Sequence, residues 1–177
     1  MWTQVMETIR QEFTDVPDTE QLTRLLLRLG LAMLLGAAIG YDRESQDSSA
    51  GLRTHMLVAL GTALFVLVPL QAGMDDQAMS RVIQGLLAGI GFLGAGTVIK
   101  QSDSGQVRGL TTAAGIWTTA AIGMTVGLGR ETTAVISTVL VLVILSLLLR
   151  LERRMTRRKE ERGEISPGER RARERDS

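Results

Sequence analysis

Long stretches without charge, separated by short polar segments, dominate the chain. Uncharged windows cover residues 56–74, 82–99, 109–129 and 132–149. Each window is close in length to the ~20 residues that an α-helix needs to cross a hydrocarbon core of ~30 Å. The pattern therefore predicts four helices that span a membrane.

A fifth span is predicted before these four, on a weaker signal. Only residues 29–41 are free of charge there, so a full-length helix must include Arg24 and Arg28, whose long side chains can reach the interface. A soluble helical bundle is the alternative, but it would place polar faces inside the uncharged windows. We therefore expect an all-α, polytopic membrane protein of five transmembrane helices, with an interfacial segment at 1–20, the membrane domain at 21–150 and a charged cytoplasmic tail at 151–177.

Glycine is unusually frequent in the window between Arg81 and Lys100. Its five glycines would each cost a water-exposed helix about 1 kcal/mol relative to alanine. In a bilayer the helix is enforced, and small residues let neighbouring helices approach closely. Stripes of such small residues predict a homo-oligomer, unless helices of the same protomer already pack against them. The glycines assigned to helix packing are Gly36, Gly40, Gly85, Gly89, Gly91, Gly94, Gly96, Gly123 and Gly127.

The distribution of positive charge predicts the orientation. The first loop, the third loop and the tail hold 15 of the 20 Lys and Arg residues, and cytoplasmic segments carry such an excess. The N-terminus is therefore predicted outside the cytoplasm and the C-terminus inside. The tail is expected to continue the last helix into anionic headgroups and to be disordered past Gly163. Its seven interleaved acids disfavour a nucleic-acid-binding arm.

The N-terminal segment carries apolar residues at helical spacing. Asp18 is expected to cap the first span, with Gln21 completing a capping box, and Pro17 would end the preceding helix. A short helix on the membrane surface, or a frayed terminus, accounts for the apolar residues Trp2, Val5, Met6, Ile9 and Phe13.

The chain contains two internal repeats. Aligning residues 35–68 with residues 93–126 gives eight identities, among them Gly36 with Gly94. This hairpin repeat predicts two parallel helical hairpins, with the fifth helix as an addition. A second repeat, displaced by about two helical turns, relates the Thr-Thr-Ala-Ala segments at 111–114 and 118–121. Helix packing is the favoured explanation of this second repeat.

Few residues are suited to catalysis. The chain has no cysteine and one histidine, and it lacks a phosphate-binding loop, a zinc-ligand pair and a nucleophile elbow. An enzyme is therefore not expected. No cofactor is expected either, apart from Mg²⁺ as a ligand or a signal.

Charged and polar residues cluster around the first cytoplasmic loop. Asp42-Arg43-Glu44 ends the first span, and Arg53-Thr54-His55 opens the second on the same side. A hairpin would let Asp42 or Glu44 pair with Arg53, which would fix helix register or hold a cation. Arg81 enters the third span from the opposite side.

Four motifs in order, GAAIGYDRE, AGLRTHMLVALGTALF, GIGFLGAGTVIK and RGLTTAAGIWTTAAIGM, resemble the MgtC/SapB family of bacterial inner-membrane proteins. The resemblance covers about residues 22–150. It implies a five-span domain in the cytoplasmic membrane and a link to low magnesium, acid stress or virulence. Larger members carry a C-terminal cytoplasmic domain, and we do not expect one in the short segment that follows Arg150. Residues within or beside the family's motifs are Asp42, Arg43, Glu44, Arg53, Thr54, His55, Arg81 and Thr111.

Three functions compete at this point. The resemblance implies a regulator of a membrane complex, with the ATP synthase as one attributed target. A magnesium or other cation channel or carrier would need oxygen ligands near mid-membrane, whereas Asp42 and Glu44 lie at one end. A structural oligomerising module is the third. The expected partners are the bilayer, such a complex or a second copy, and not nucleic acid.

Overall fold

The computed structural model describes residues 1–12, 18–100 and 107–161. It is almost entirely helical, as predicted, apart from one short antiparallel hairpin in which Ile99 pairs with Arg108 and Lys100 with Val107. The elements are α1 (Trp2–Glu12), α2 (Thr19–Glu44), α3 (Leu52–Gln71), α4 (Asp76–Thr97), β1 (Ile99–Lys100), β2 (Val107–Arg108), α5 (Leu110–Gly127) and α6 (Glu131–Glu161).

Three helices are long and apolar enough to cross a membrane, namely α2, α3 and α4. They correspond to three of the five predicted spans. Helix α5 is shorter, and its five threonines reduce its hydropathy. In α6, the described segment Glu131–Ser146 is a shorter apolar helix.

The chain divides into two compact units, Met1–Thr138 and Val139–Ser177. The second unit begins within α6, and its described part is the continuation of that helix to Glu161. The residues past Gly163, which are expected to be disordered, lie outside the described part of the chain. Phe13 and Pro17 lie outside it as well.

Helices α3 and α5 form the centre of the first unit, because each contacts the other and both contact α2 and α4. One apolar cluster joins Val66, Met79 and Met124, from three different helices. The fully buried apolar residues that the structure describes are otherwise small or β-branched, which lets the helix axes approach closely. They include Ala32, Ile39, Ala59, Ala63, Ile122 and Val126.

The glycines predicted to pack helices fall into two groups. A Cβ on Gly36 would lie 2.7 Å from the His55 carbonyl oxygen, one on Gly40 2.7 Å from Leu52 Cα, and one on Gly127 2.8 Å from the Ala63 carbonyl oxygen. Gly123 lies even closer to α3, and Gly94 makes an ordinary contact with Ala113. By contrast, no described atom outside the local helix lies within 4 Å of the Cβ position at Gly85, Gly89, Gly91 or Gly96.

The contacts of two glycines agree with the hairpin repeat. Gly36 of α2 packs on His55 of α3, and Gly94 of α4 packs on Ala113 of α5. The repeat aligns Gly36 with Gly94, and it aligns His55 with Ala113. The hairpins α2–α3 and α4–α5 therefore close through equivalent positions.

Local capping agrees with the sequence at the start of α2. Asp18 is the N-cap, and its Oδ1 accepts a hydrogen bond from the Gln21 amide at 2.6 Å. Asp75 caps α4 in the same way, through the Ala78 amide. Along α1, the apolar side chains at Trp2, Val5, Met6 and Ile9 are exposed, as a helix resting on a membrane surface requires.

Candidate functional site

The two charged segments predicted to lie together do meet at one end of the bundle. Helix α2 ends at Glu44, and α3 begins at Leu52 after a short turn. Glu44 Oε2 accepts a hydrogen bond from the Leu52 amide at 2.7 Å. The side chain of Glu44 thus caps α3, a role that Gly51, the residue at the N-cap position, has no side chain to fill.

Asp42 and Arg43 form an ion pair with each other. Arg43 Nη2 lies 2.9 Å and Nε 3.2 Å from Asp42 Oδ2, and Gln46 Nε2 donates to the same oxygen at 3.1 Å. The Arg43 residue is only 5% exposed. Since an unpaired buried charge is costly, Asp42 is needed to keep Arg43 in place.

His55 lies one turn into α3 and is fully buried. Its Nδ1 is 2.7 Å from Thr119 Oγ1 of α5, whereas Nε2 has no hydrogen-bond partner in the described part of the chain. Such an unsatisfied atom costs about 1–3 kcal/mol. A Cβ on Gly115 would lie 3.4 Å from His55 Cε1 and 3.9 Å from Arg43 Cδ, so both side chains face this glycine.

A second polar contact joins the α2–α3 turn to α5. Ser48 Oγ and Thr112 Oγ1 are 3.0 Å apart, and Thr112 is buried. Thr112 and Thr119 occupy the same position in the two Thr-Thr-Ala-Ala segments, so one face of α5 bonds twice to the first hairpin. We call Asp42, Arg43, His55 and Thr119 the polar cluster.

The remaining predicted site residues lie outside this cluster. Arg53, Thr54 and Thr111 are exposed, and so is Arg81, which lies in α4. Arg53 forms no ion pair with the residues that the structure describes, so its expected pairing with Asp42 or Glu44 is not observed. Asp42 pairs with Arg43 instead, and Glu44 accepts the hydrogen bond from the Leu52 amide.

Sequence reasoning missed Ser48, Thr112 and Thr119. The repeat of the Thr-Thr-Ala-Ala segment was the available signal, because it placed Thr112 and Thr119 on one face. The repeat did not indicate which residues of the first hairpin would form hydrogen bonds with these two threonines.

The cluster is suited to joining three helices more than to holding a metal ion. Among the described residues, no three His, Cys, Asp or Glu side chains are grouped in a way that could hold a metal. Oδ2 of Asp42 and Oε2 of Glu44 each accept hydrogen bonds from the protein. Binding of Mg²⁺ to Asp42 and Glu44 stays a prediction.

Replacing Thr119 by valine removes the partner of His55 Nδ1 and leaves both ring nitrogens unsatisfied. We expect the free energy of unfolding to fall by about 1 kcal/mol. The measurement is unfolding in mixed micelles titrated with sodium dodecyl sulfate. Thr118→Val is the matched control, because Thr118 Oγ1 donates to the Ala114 carbonyl of its own helix at 2.7 Å. Equal losses in the two variants would contradict a stabilising role for the His55–Thr119 contact.

Comparison with known proteins identifies relatives over most of the chain. SrpB of Synechococcus elongatus is 48% identical over 140 residues, which cover 73% of this chain and 77% of SrpB. MgtC of Salmonella typhimurium is 43% identical over 117 residues, which cover 66% of this chain but 49% of MgtC. A protein of Escherichia coli K12 named "Putative magnesium transporter YhiD" is 36% identical over 137 residues, or 73% of this chain and 63% of YhiD.

No solved structure matches the chain at a significant level. The model of the MgtC family matches residues 29–154, which include the polar cluster, most of α2 and all of α3 and α5. With this match and the apolar helices of the fold, the chain is a multi-pass membrane protein that belongs to the MgtC family.

Proposed function

We propose that this chain is a non-catalytic regulator that binds a transmembrane helix of another membrane complex and adjusts that complex under low magnesium or acid stress. The observation that carries the proposal is the open face of α4, defined by Gly85, Gly89, Phe92 and Gly96. These residues follow each other at intervals of four, three and four positions, so they share one side of the helix. Hereafter they are called the α4 glycine face.

The α4 glycine face is the largest group of packing glycines that the fold leaves unused. Neighbouring helices pack against Gly36 and Gly40 of α2 and Gly123 and Gly127 of α5, whereas Gly85, Gly89 and Gly96 have free space above them within the described structure. Phe92 is 80% exposed. Each glycine weakens the helix by about 1 kcal/mol relative to alanine, a cost that close contact with a further helix would offset.

A groove beside this face supports the same proposal. It has a volume of about 490 Å³, lies between α3 and α4, and is lined almost entirely by apolar or glycine residues. Gly61 of α3 and Gly85 and Gly89 of α4 form part of its walls. A groove of this composition fits the side chains of an apolar helix.

The partner's identity rests on the family resemblance. The ATP synthase is the complex to test first, because inhibition of that enzyme is attributed to the family. A second copy of this chain would use the same face, which is the alternative of a structural oligomerising module.

Photo-crosslinking from the α4 glycine face tests the regulator proposal. With benzoylphenylalanine at Phe92, irradiation of native membranes is expected to give an adduct with a membrane subunit of the ATP synthase, identified by mass spectrometry. Gly89→Leu is expected to reduce the adduct at least fivefold, because its side chain fills the groove. Gly30→Leu is the matched control, since Gly30 also has open space but lies on α2. Adducts with this chain alone would favour the oligomerising module.

Magnesium transport is the second candidate, favoured by the printed name of the relative YhiD. Flux into liposomes that contain the purified protein is compared with an Asp42→Asn/Glu44→Gln variant. Saturable uptake that the variant loses would establish transport. On the regulator proposal we expect no flux above that of protein-free liposomes. Intact folding of the variant is checked by size-exclusion chromatography, because both carboxylates make structural contacts.

We further propose that α5 and the apolar part of α6 also cross the bacterial cytoplasmic membrane, giving five spans with the N-terminus outside and the C-terminus in the cytoplasm. The chain has no cysteine, so single cysteines report topology cleanly. At the exposed positions Met74 and Ser49, a membrane-impermeant maleimide should label Met74→Cys in spheroplasts and Ser49→Cys only after lysis. The opposite pattern would reverse the orientation, and labelling of both in spheroplasts would contradict the arrangement.

A further inference from the structure

Two clefts share a pair of arginines at the end of the first unit remote from the polar cluster. The smaller, of about 320 Å³, is lined by Gln21 and Gln71 together with leucines of α2 and α3. The larger, of about 710 Å³, is lined mainly by leucines of α2, with Gly129 and Glu131 also contributing. Arg24 and Arg28 line both clefts.

The lining residues change from polar to apolar along α2. Gln21 belongs to the small cleft, Arg24 and Arg28 to both, and Gly30 and Leu34 to the large one. At ~1.5 Å per residue, Gln21 and Leu34 are about 20 Å apart along the helix. This order follows the change from headgroup to hydrocarbon that one leaflet of a bilayer presents.

We propose that the two clefts bind one phospholipid with an anionic headgroup. Its phosphate contacts the guanidinium groups of Arg24 and Arg28, its headgroup lies against Gln21 and Gln71, and an acyl chain lies along Leu34 in the large cleft. Guanidinium groups match the geometry of phosphate oxygens, and basic pockets between membrane helices are typical headgroup sites. This inference does not depend on the regulator proposal.

Arg28 is held in position by the last residue of α5 and the first residue of α6. Its Nε lies 3.3 Å from Glu131 Oε1, and its Nη1 lies 3.5 Å from the Gly127 carbonyl oxygen. A guanidinium carries five N–H donors, so these two contacts leave donors for a phosphate. The side chain is 24% exposed, which leaves it accessible from the clefts.

Arg24 is paired less firmly. Its partner is Glu20 of the same helix, and the two side chains are 65% and 73% exposed. Exposed pairs of this kind contribute about 0–1 kcal/mol, so a phosphate can replace the carboxylate at low cost. Glu20 lines neither cleft, which leaves two arginines against the single carboxylate of Glu131 in the clefts.

The apolar part of the large cleft favours a lipid over a free anion. No described atom outside the local helix lies within 4 Å of the Cβ position at Gly30, so this glycine leaves a gap in the surface of α2. Leu27 and Leu34 beside it are exposed on a helix that is long and apolar enough to span a membrane. In a bilayer, lipid hydrocarbon chains lie next to such a surface, whereas a free phosphate ion would leave the gap at Gly30 empty.

Native mass spectrometry of the detergent-purified full chain tests the site, with dioleoyl phosphatidylglycerol and dioleoyl phosphatidylcholine as probes. We expect the first to bind at least tenfold more tightly. Arg24→Gln should weaken phosphatidylglycerol binding about fivefold, the loss expected for one surface cation, and leave phosphatidylcholine unchanged. Arg81→Gln, which removes an exposed cation from α4, should change neither affinity.

A second pair of variants tests the apolar half without altering charge. Gly30→Leu fills the gap in the surface of α2 and should weaken phosphatidylglycerol binding at least fivefold. Gly89→Leu, at an equally open glycine on α4, should not weaken it. Equal affinity for the two lipids, equal effects of Arg24→Gln and Arg81→Gln, or equal effects of the two leucine variants would each overturn the proposal. Displacement of the lipid by millimolar glycerol 3-phosphate would assign the site to a free anion instead.

Discussion

The close approach of α2, α3 and α5 is the constraint on which the rest of the structure depends. At Gly36, Gly40 and Gly127 a single added methyl group would meet backbone atoms of the adjacent helix at less than 3 Å. Backbone cannot yield as the tip of a flexible side chain can, so these positions fix the distance and rotation of three helices together. In a bilayer, where no hydrophobic force drives apolar helices together, such packing is a main source of association.

The polar cluster exists because the helices are this close. His55 reaches Thr119 because Gly123 and Gly127 let α5 lie against α3, and Gly115 leaves room for the ring and for Arg43. The cluster then adds directional contacts to packing that is otherwise non-directional. Glu44, which caps α3, and Ser48, which bonds Thr112, extend these contacts from the helices into the turn. Charged residues predicted as a ligand site thus serve first to fix one end of the bundle.

The surfaces left outside the tight core have different characters. Helix α4 touches α3 and α5 but keeps three glycines of one face open, and the opposite end of α2 places two arginines above a leucine-lined cleft. The first surface suits an apolar helix, and the second suits a molecule with a charged head and an apolar chain. Both lie on helices that meet the length and composition of a membrane span.

The sequence by itself determined the class of the protein, the order of its long helices and the family. Uncharged windows limit where helices can cross a bilayer, and Asp18 marks the start of α2 by a local hydrogen bond. The four family motifs can be recognised from the order of residues alone. Only the tertiary structure decided which glycines are filled, that Thr119 is the partner of His55, and that Asp42 pairs with Arg43 while Arg53 stays exposed. The physical reason is that α3 and α5 are apolar or small on every side. Their hydrophobic pattern therefore does not specify a buried face, and the rotation of each helix is set by how its small residues fit the neighbouring backbone.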